Sequence, residues 1–320
     1  MRNRTAITLL LALLCATSIA SAQTFPSRPI RIVVPFPAGA GGDFVTRLYT
    51  PRMGEALGQP FIVENRSGAS GNIGAESIAR AAPDGHSLLT VSSSHAVAQN
   101  VYKNLPYELI RDFEPVALLA YTPQVLVVHP SIPVKSVGEL VALAKAQPGK
   151  LTFASSGMGS ASHLSAEMLK MQAQIELLHV PYKGTAQALT DLTSGQLSMM
   201  FASQVSSFIK AGRLRAIAIS SAQRSRTTPD LPTVAESGLP GYESGVWFGL
   251  IAPKGTPMDT VNRLNATAVR IGQSQEVRDL LMSQSAAEPL SGTPAQVGNY
   301  LKSEIAKWRQ LVLALGLREE

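Results

Sequence analysis

Residues 31–44, RIVVPFPAGAGGDF, decide how the rest of the chain is read. Ile32, Val33 and Val34 are β-branched and uncharged on both faces, which suits a strand covered on both sides. Pro35 and Pro37 cannot donate to a sheet ladder, so the strand should end there. Gly39, Ala40, Gly41 and Gly42 suit a tight loop, and Asp43 suits the N-cap of a helix whose apolar stripe begins with Val45, Leu48 and Tyr49. A strand, a glycine loop and a helix N-terminus together aim free backbone N–H groups at whatever sits above the loop, and such a place attracts anions without a basic side chain. A glycine-rich turn that binds nothing is the alternative. The Walker loop is excluded because Gly42 is followed by Asp43 and Phe44, and the dinucleotide fingerprint fails because Phe44 stands where its third glycine belongs. With an acidic residue beside the donors, a small carboxylate is a better guest than a phosphate.

Working outward, Arg2 and Arg4 precede an apolar run from Ala6 to Ala16, and Ala20-Ser21-Ala22 supplies an A-x-A cleavage pattern. Residues 1–22 therefore read as a secretory signal peptide cleaved after Ala22, and the periplasm is the expected location. The single cysteine, Cys15, lies inside that signal behind Leu14, so neither a lipoprotein anchor nor disulfide chemistry is expected. The chain has 28 basic and 22 acidic residues, and losing Arg2 and Arg4 leaves 26 basic ones. They are scattered, without runs or aromatic interleaving, which argues against a nucleic-acid partner. A mildly positive surface helps anions arrive.

Downstream, strands and helices alternate, which predicts an α/β chain. Phe61–Glu64, Ser87–Ser92, Leu151–Ala154, Ile175–Val180, Leu197–Phe201, Leu214–Ile219 and Trp247–Ala252 read as strands. Ser92, Ser93, Ser94 and His95 form a polar edge at a strand's C-terminal end, where α/β ligand sites usually lie. Val116–Tyr121 and Val125–Val128 read as a crossing between two lobes, and Trp247–Ala252 as the return. The expected organisation is lobe 1 at 23–123 and 247–320, and lobe 2 at 124–246 with a Pro/Gly/Ser/Thr-rich connector at 225–245. Each lobe is expected to hold a mostly parallel sheet flanked by helices, in a clamshell that holds its ligand at the seam. Ser136 and Glu139 form a capping box for a helix over 136–146. The stripe Leu301, Ile305, Trp308, Val312 and Leu315 of the last helix reads as core.

The second lobe carries its own small-residue loop, Ser155-Ser156-Gly157-Met158-Gly159-Ser160, ahead of a helix. Ser155, Ser156, Ser160 and Thr185 supply hydroxyls; Ser160 equally suits a helix cap, and His163 suits either a carboxylate contact or a capping and packing role. Asp43 could orient its loop, recognise a ligand hydroxyl or ammonium, or simply cap its helix. No metal is expected, because His86, His95, His129 and His179 lack ligand spacing. Catalysis is the rival class, but Gly157-Met158-Gly159-Ser160 has the wrong spacing for a nucleophile elbow, and Asp43 is the only carboxylate in the expected cleft loops.

The segments SRPIRIVVPFPAGAGGD, ENRSGASGNIGAE, ARAAPDGHSLL, VHPSIPVKSVGEL, SSGMGSASHL, VPYKGT, PTVAESGLPGYE and WFGLIAPKGTP, in this order along the chain, resemble the tripartite tricarboxylate transporter substrate-binding receptors, also called Bug proteins. The resemblance implies a monomeric periplasmic Venus flytrap, without enzyme activity or cofactor, that hands a small organic anion (a mono- or dicarboxylate, an amino acid or an aromatic acid) to a membrane permease. It implies ligand contacts at Phe36, Ala40, Gly41 and Asp43 in one lobe, and at Ser155, Ser156, Ser160 and His163 in the other. Ser93, Ser94, Gly184, Thr185 and Ser203 match further cleft positions. Gln187 stands where the family commonly has proline, and Ala202-Ser203 where Asp or Asn is frequent, so side-chain specificity departs from the pattern. A ligand-sensing subunit for a two-component receptor would use the same cleft, and a hydrolase is the third alternative.

Overall fold

The strand expected at residues 31–34 forms as β1, Ile30–Val34. It belongs to a computed structural model that describes residues 25–225 and 228–317; the expected signal peptide lies outside the described residues. The other strands are β2 (Phe61–Asn65), β3 (Ser87–Ser92), β4 (Phe113–Pro123), β5 (Val125–Val128), β6 (Thr152–Ser155), β7 (Leu178–Pro181), β8 (Met199–Ala202), β9 (Arg215–Ile219), β10 (Gly245–Pro253) and β11 (Glu288–Pro289). The α-helices are α1 (Gly41–Leu57), α2 (Asn72–Ala79), α3 (Ser93–Val101), α4 (Val137–Ala146), α5 (Ala161–Ala173), α6 (Thr185–Thr193), α7 (Ser206–Lys210), α8 (Met258–Gly272), α9 (Gln275–Ser285) and α10 (Pro294–Ala314).

Two sheets form two lobes, a six-stranded one in the order β11-β4-β10-β3-β1-β2 and a five-stranded one in the order β7-β6-β8-β5-β9. Both are mixed, where mostly parallel sheets were expected. β1 runs parallel to β2 and β3, and β6 parallel to β7 and β8. In contrast β10 is antiparallel to β3 and β4, and β5 antiparallel to β8 and β9. The crossings explain part of this. β4 leads out of the first sheet and β10 leads back beside it, with Pro123 opposite Gly245 and Phe113 opposite Pro253, so the two must run in opposite directions.

Four of the five residues of β1 are buried; the exception, Arg31, is half-buried and pairs with Glu64 on β2 at 3.2 Å. Ile30, Ile32 and Val34 pack on one face with Val45, Tyr49 and Met53 of α1 and Leu264 of α8. Val33 enters the opposite core with Ala75 and Ile78 of α2, Ala96 of α3 and Trp308 of α10. Each fully buried Val or Ile contributes about 1.5–3 kcal/mol. That second core continues into the other lobe through Leu126, Phe153 and Leu164, so the lobes share apolar packing. Leu301, Trp308 and Val312 are buried as the stripe on the last helix requires. The buried Glu304 fastens α10 to β10, its Oε2 accepting from Trp247 Nε1 at 2.7 Å and Trp308 Nε1 at 3.3 Å. Ser136 caps α4 as expected, accepting from the Glu139 amide at 3.2 Å, but Glu139 reaches past it to the Lys135 amide.

Candidate functional site

The glycine loop behaves differently from its reading in one respect. Helix α1 begins at Gly41 with Ala40 as N-cap, and no side chain caps it. Asp43 is the third helical residue and not the N-cap. Its Oδ2 accepts from the Gly39 amide at 2.9 Å; its Oδ1 accepts from Arg47 Nε at 2.9 Å and Asn65 Nδ2 at 2.8 Å. Asn65 Nδ2 also reaches the Phe36 carbonyl at 3.0 Å. Burial alone would raise the Asp43 pKa, but the Gly39 amide, Asn65 and Arg47 hold it below the usual carboxylate value. The carboxylate is thus committed to shaping the loop. Gly42 is needed for space, since a Cβ there would lie 2.5 Å from the Phe36 ring.

A second helix start appears where the sequence suggested only a polar strand edge. Ser92 caps α3, its Oγ accepting from the Ser94 amide at 3.2 Å, while His95 Nδ1 accepts from the Ser92 amide at 3.2 Å. A capping box closed by histidine in place of Glu or Gln is hard to see in sequence. The third start, α5, uses a variant of the device in which the histidine reaches the amide one residue before the cap. Ser160 Oγ accepts from the His163 amide at 3.3 Å and donates to the Gly157 carbonyl at 2.7 Å, and His163 Nδ1 accepts from the Gly159 amide at 3.1 Å. His163 is buried, stacked on His179 with ring centroids 4.2 Å apart.

These three helix starts meet at one cavity of about 230 Å³ between the lobes. Ala40, Gly41 and Gly42 line it from α1, Ser92, Ser93 and Ser94 from α3, and Gly159, Ser160 and Ala161 from α5. Phe36, Val97, Leu164, Val246, Phe248 and Trp308 form the apolar walls, with Gly245 between them. Among the described residues, no Lys, Arg, His, Asp or Glu lines it. First-turn amides have no carbonyl partner within their helix, and each N-terminus carries roughly half a positive charge, so the cavity is electropositive without a cation.

Of the residues singled out in the sequence, Phe36, Ala40, Gly41, Ser93, Ser94 and Ser160 line this cavity. Asp43, Ser155, Ser156 and His163 stand behind it and brace the loops. The fully buried Ser155 donates to the Gly157 carbonyl at 3.1 Å and lies 2.7 Å from His179 Nε2; the Ser156 amide donates to Ser162 Oγ at 3.0 Å. The Ser155–His179 pair is therefore a loop tie. Gly184, Thr185 and Ser203 lie outside the walls of this cavity. Sequence reasoning missed Phe248 and Trp308 as walls: one belongs to a strand and the other to a core stripe, and only the packing of both against the cleft reveals a second role.

A two-lobed α/β chain with such a seam has the build of a solute-binding receptor. Residues 45–317 match the family model described as tripartite tricarboxylate transporter family receptor, and the chain belongs to that family. It is 40% identical over 309 residues to the UPF0065 protein in the tcbD-tcbE intergenic region of Pseudomonas sp. (strain P51), covering 95% of this chain and 92% of that protein. Protein BugT of Bordetella pertussis is 36% identical over 302 residues, covering 93% and 92%. Among solved structures, R. palustris Rpa4515 with adipate is similar with a TM-score of 0.74 and 36% identity, covering 91% of this chain and 98% of that one. MatC from Rhodopseudomonas palustris with bound malate is similar with a TM-score of 0.70 and 35% identity, covering 90% and 100%.

Proposed function

We propose that this chain captures a small organic carboxylate between its lobes and delivers it, as a monomer and without catalysis, to a tripartite tricarboxylate-type permease. The observation that carries this reading is the convergence of three helix N-termini on one uncharged cavity. A carboxylate there gains charge-assisted hydrogen bonds of about 1.5–3 kcal/mol each from backbone amides. The amides of Gly41 and Gly42 and the hydroxyls of Ser93 and Ser94 are the ligand contacts. Ser160 closes the wall opposite and turns toward the ligand only by giving up its bond to the Gly157 carbonyl, and Asp43, Ser155, Ser156 and His163 are the supports. Gly184, Thr185 and Ser203 join the site on closure of the lobes. The lobes divide at 23–123 with 247–320, and at 124–246. Residues 1–22 direct export to the periplasm and are removed after Ala22. The adipate and malate seen with the structural relatives support a carboxylate guest.

The test is a thermal-shift screen of mono- and dicarboxylates against the mature protein. A ligand at about 100 times its Kd should stabilise it by roughly 2.7 kcal/mol. A screen in which no organic acid shifts the melting temperature, while a neutral or cationic solute does, overturns the reading.

A further inference from the structure

A second cavity of about 260 Å³ adjoins the first, sharing Ser94, Val97 and Gly159 in its walls. Neither alone reaches the roughly 300 Å³ at which small-molecule pockets usually begin, but the two together do. The character of the second is apolar: Val97, Ala98, Val101, Met158 and Leu317 line it, with the hydroxyls of Ser70 and Tyr102 lying 3.3 Å from each other. None of the described residues that line it is charged. Helix α3 joins both halves. Its first turn, Ser93 and Ser94, faces the electropositive cavity, and Ser94, Val97, Ala98 and Val101 follow at the spacing of a single helix face into the annex.

We infer that the ligand is a monocarboxylate with an apolar body, its head at the helix starts and its hydrocarbon part lying along α3 in the annex against Met158. This rests on the carboxylate reading above and narrows it. A second ionised carboxylate lying along this apolar wall would give up part of its water and meet neither a cation nor a helix terminus among the described lining residues, and polar hydration lost without a replacement partner is disfavoured. A methylene there removes apolar surface from water and contributes about 0.8 kcal/mol.

Hexanoate and adipate have the same six-carbon chain and differ in the second carboxylate, so calorimetric titration of the mature protein with each, and with propionate, reads the annex directly. Hexanoate should bind at least ten times more tightly than adipate and than propionate. The exposed Met158 offers a second arm that leaves the fold alone: Met158→Lys should weaken hexanoate and strengthen adipate, with the melting temperature of the free protein unchanged. Adipate binding as tightly as hexanoate, or a preference that Met158→Lys leaves unchanged, overturns the inference and leaves the carboxylate site standing. Absence of binding by all three acids, together with no response in the wider acid screen, overturns the carboxylate site itself.

Discussion

Ser165 Oγ donates a 2.6 Å hydrogen bond to Gln124 Oε1, and both residues are buried. Ser165 lies on α5, whose first turn lines the cleft, and Gln124 is the single residue between β4 and β5 at the crossing from one sheet to the other. The Gln124 amide in turn donates to Ser220 Oγ at 2.8 Å, Ser220 Oγ donates to the Ser244 carbonyl, and Tyr242 OH donates back to the Ser165 carbonyl at 2.8 Å. The binding end of α5 is thereby fixed to the strands about which the lobes would move. Ser165→Ala should leave the amide oxygen of Gln124 buried and short of a donor, costing about 1–3 kcal/mol. Chemical denaturation should show that loss, and titration with the best ligand of the screen should show weaker binding, because the helix start is less firmly placed.

Two adjacent glycines should respond differently to substitution. A Cβ at Gly41 would lie 3.5 Å from the Phe248 ring, an ordinary contact, whereas at Gly42 it would lie 2.5 Å from Phe36 and 3.0 Å from Phe248. Gly41→Trp should abolish ligand binding and leave the melting temperature within a degree or two of wild type, since its side chain fills the cleft and not the core. Gly42→Val should lower stability by about 1–3 kcal/mol through overpacking. Retained binding in Gly41→Trp would place the ligand elsewhere.

Acid should loosen both sides of the cleft together. His95 and His163 each accept a backbone amide through Nδ1, which requires the neutral ring. Burial pushes His95 down from 6.5 to about 4; burial, and then Lys170, push His163 below the ordinary histidine value. Because the folded-state values are depressed, the unfolded chain takes up protons first as pH falls. The stability His95 provides is fully present above about pH 6.5 and is lost on going down toward pH 4, and that of His163 falls in the same direction. For His95 the loss is on the order of 3 kcal/mol. Urea unfolding at pH 7.5, 6 and 4.5 should trace this fall, and His95→Asn should flatten it.

Asp43→Ala should act through the loop. It removes the acceptor for Gly39, Arg47 and Asn65 at once, costing about 1–3 kcal/mol and weakening binding with the cavity walls otherwise unchanged. Since its folded-state pKa is lowered, the contribution of Asp43 is present above the ordinary carboxylate value of 3.8 and is lost as pH falls through the folded one. Binding unaffected by this substitution would show that the Gly39–Gly42 loop holds its shape unaided.

Much of this architecture is written in local pattern. The proline stop after Val34, the serine caps before Val137 and Ala161, and the apolar stripe of α10 each rest on interactions within a few residues, and each appears where it should. What the pattern could not convey depends on partners far away in sequence. Asp43 has the letter of a cap, but Ala40 takes the cap position and one of the partners that hold the Asp43 carboxylate, Asn65, comes from the next strand. α3 was obscured because His95 closes its capping box, and the antiparallel placement of β10 depends on where the chain re-enters the first sheet. Of the site, the small-residue loops were legible; the aromatic walls Phe248 and Trp308 were not, because a residue facing a cleft and one facing a core look alike in a list of apolar letters.

The shared acceptor Glu304 has an optical consequence. The chain has two tryptophans, both of whose indole N–H groups donate to that one carboxylate, and one of them, Trp308, forms part of the cleft wall. A guest entering the seam changes the polarity around one indole while the other stays in the dry interior, so the native emission spectrum should report occupancy without any attached dye.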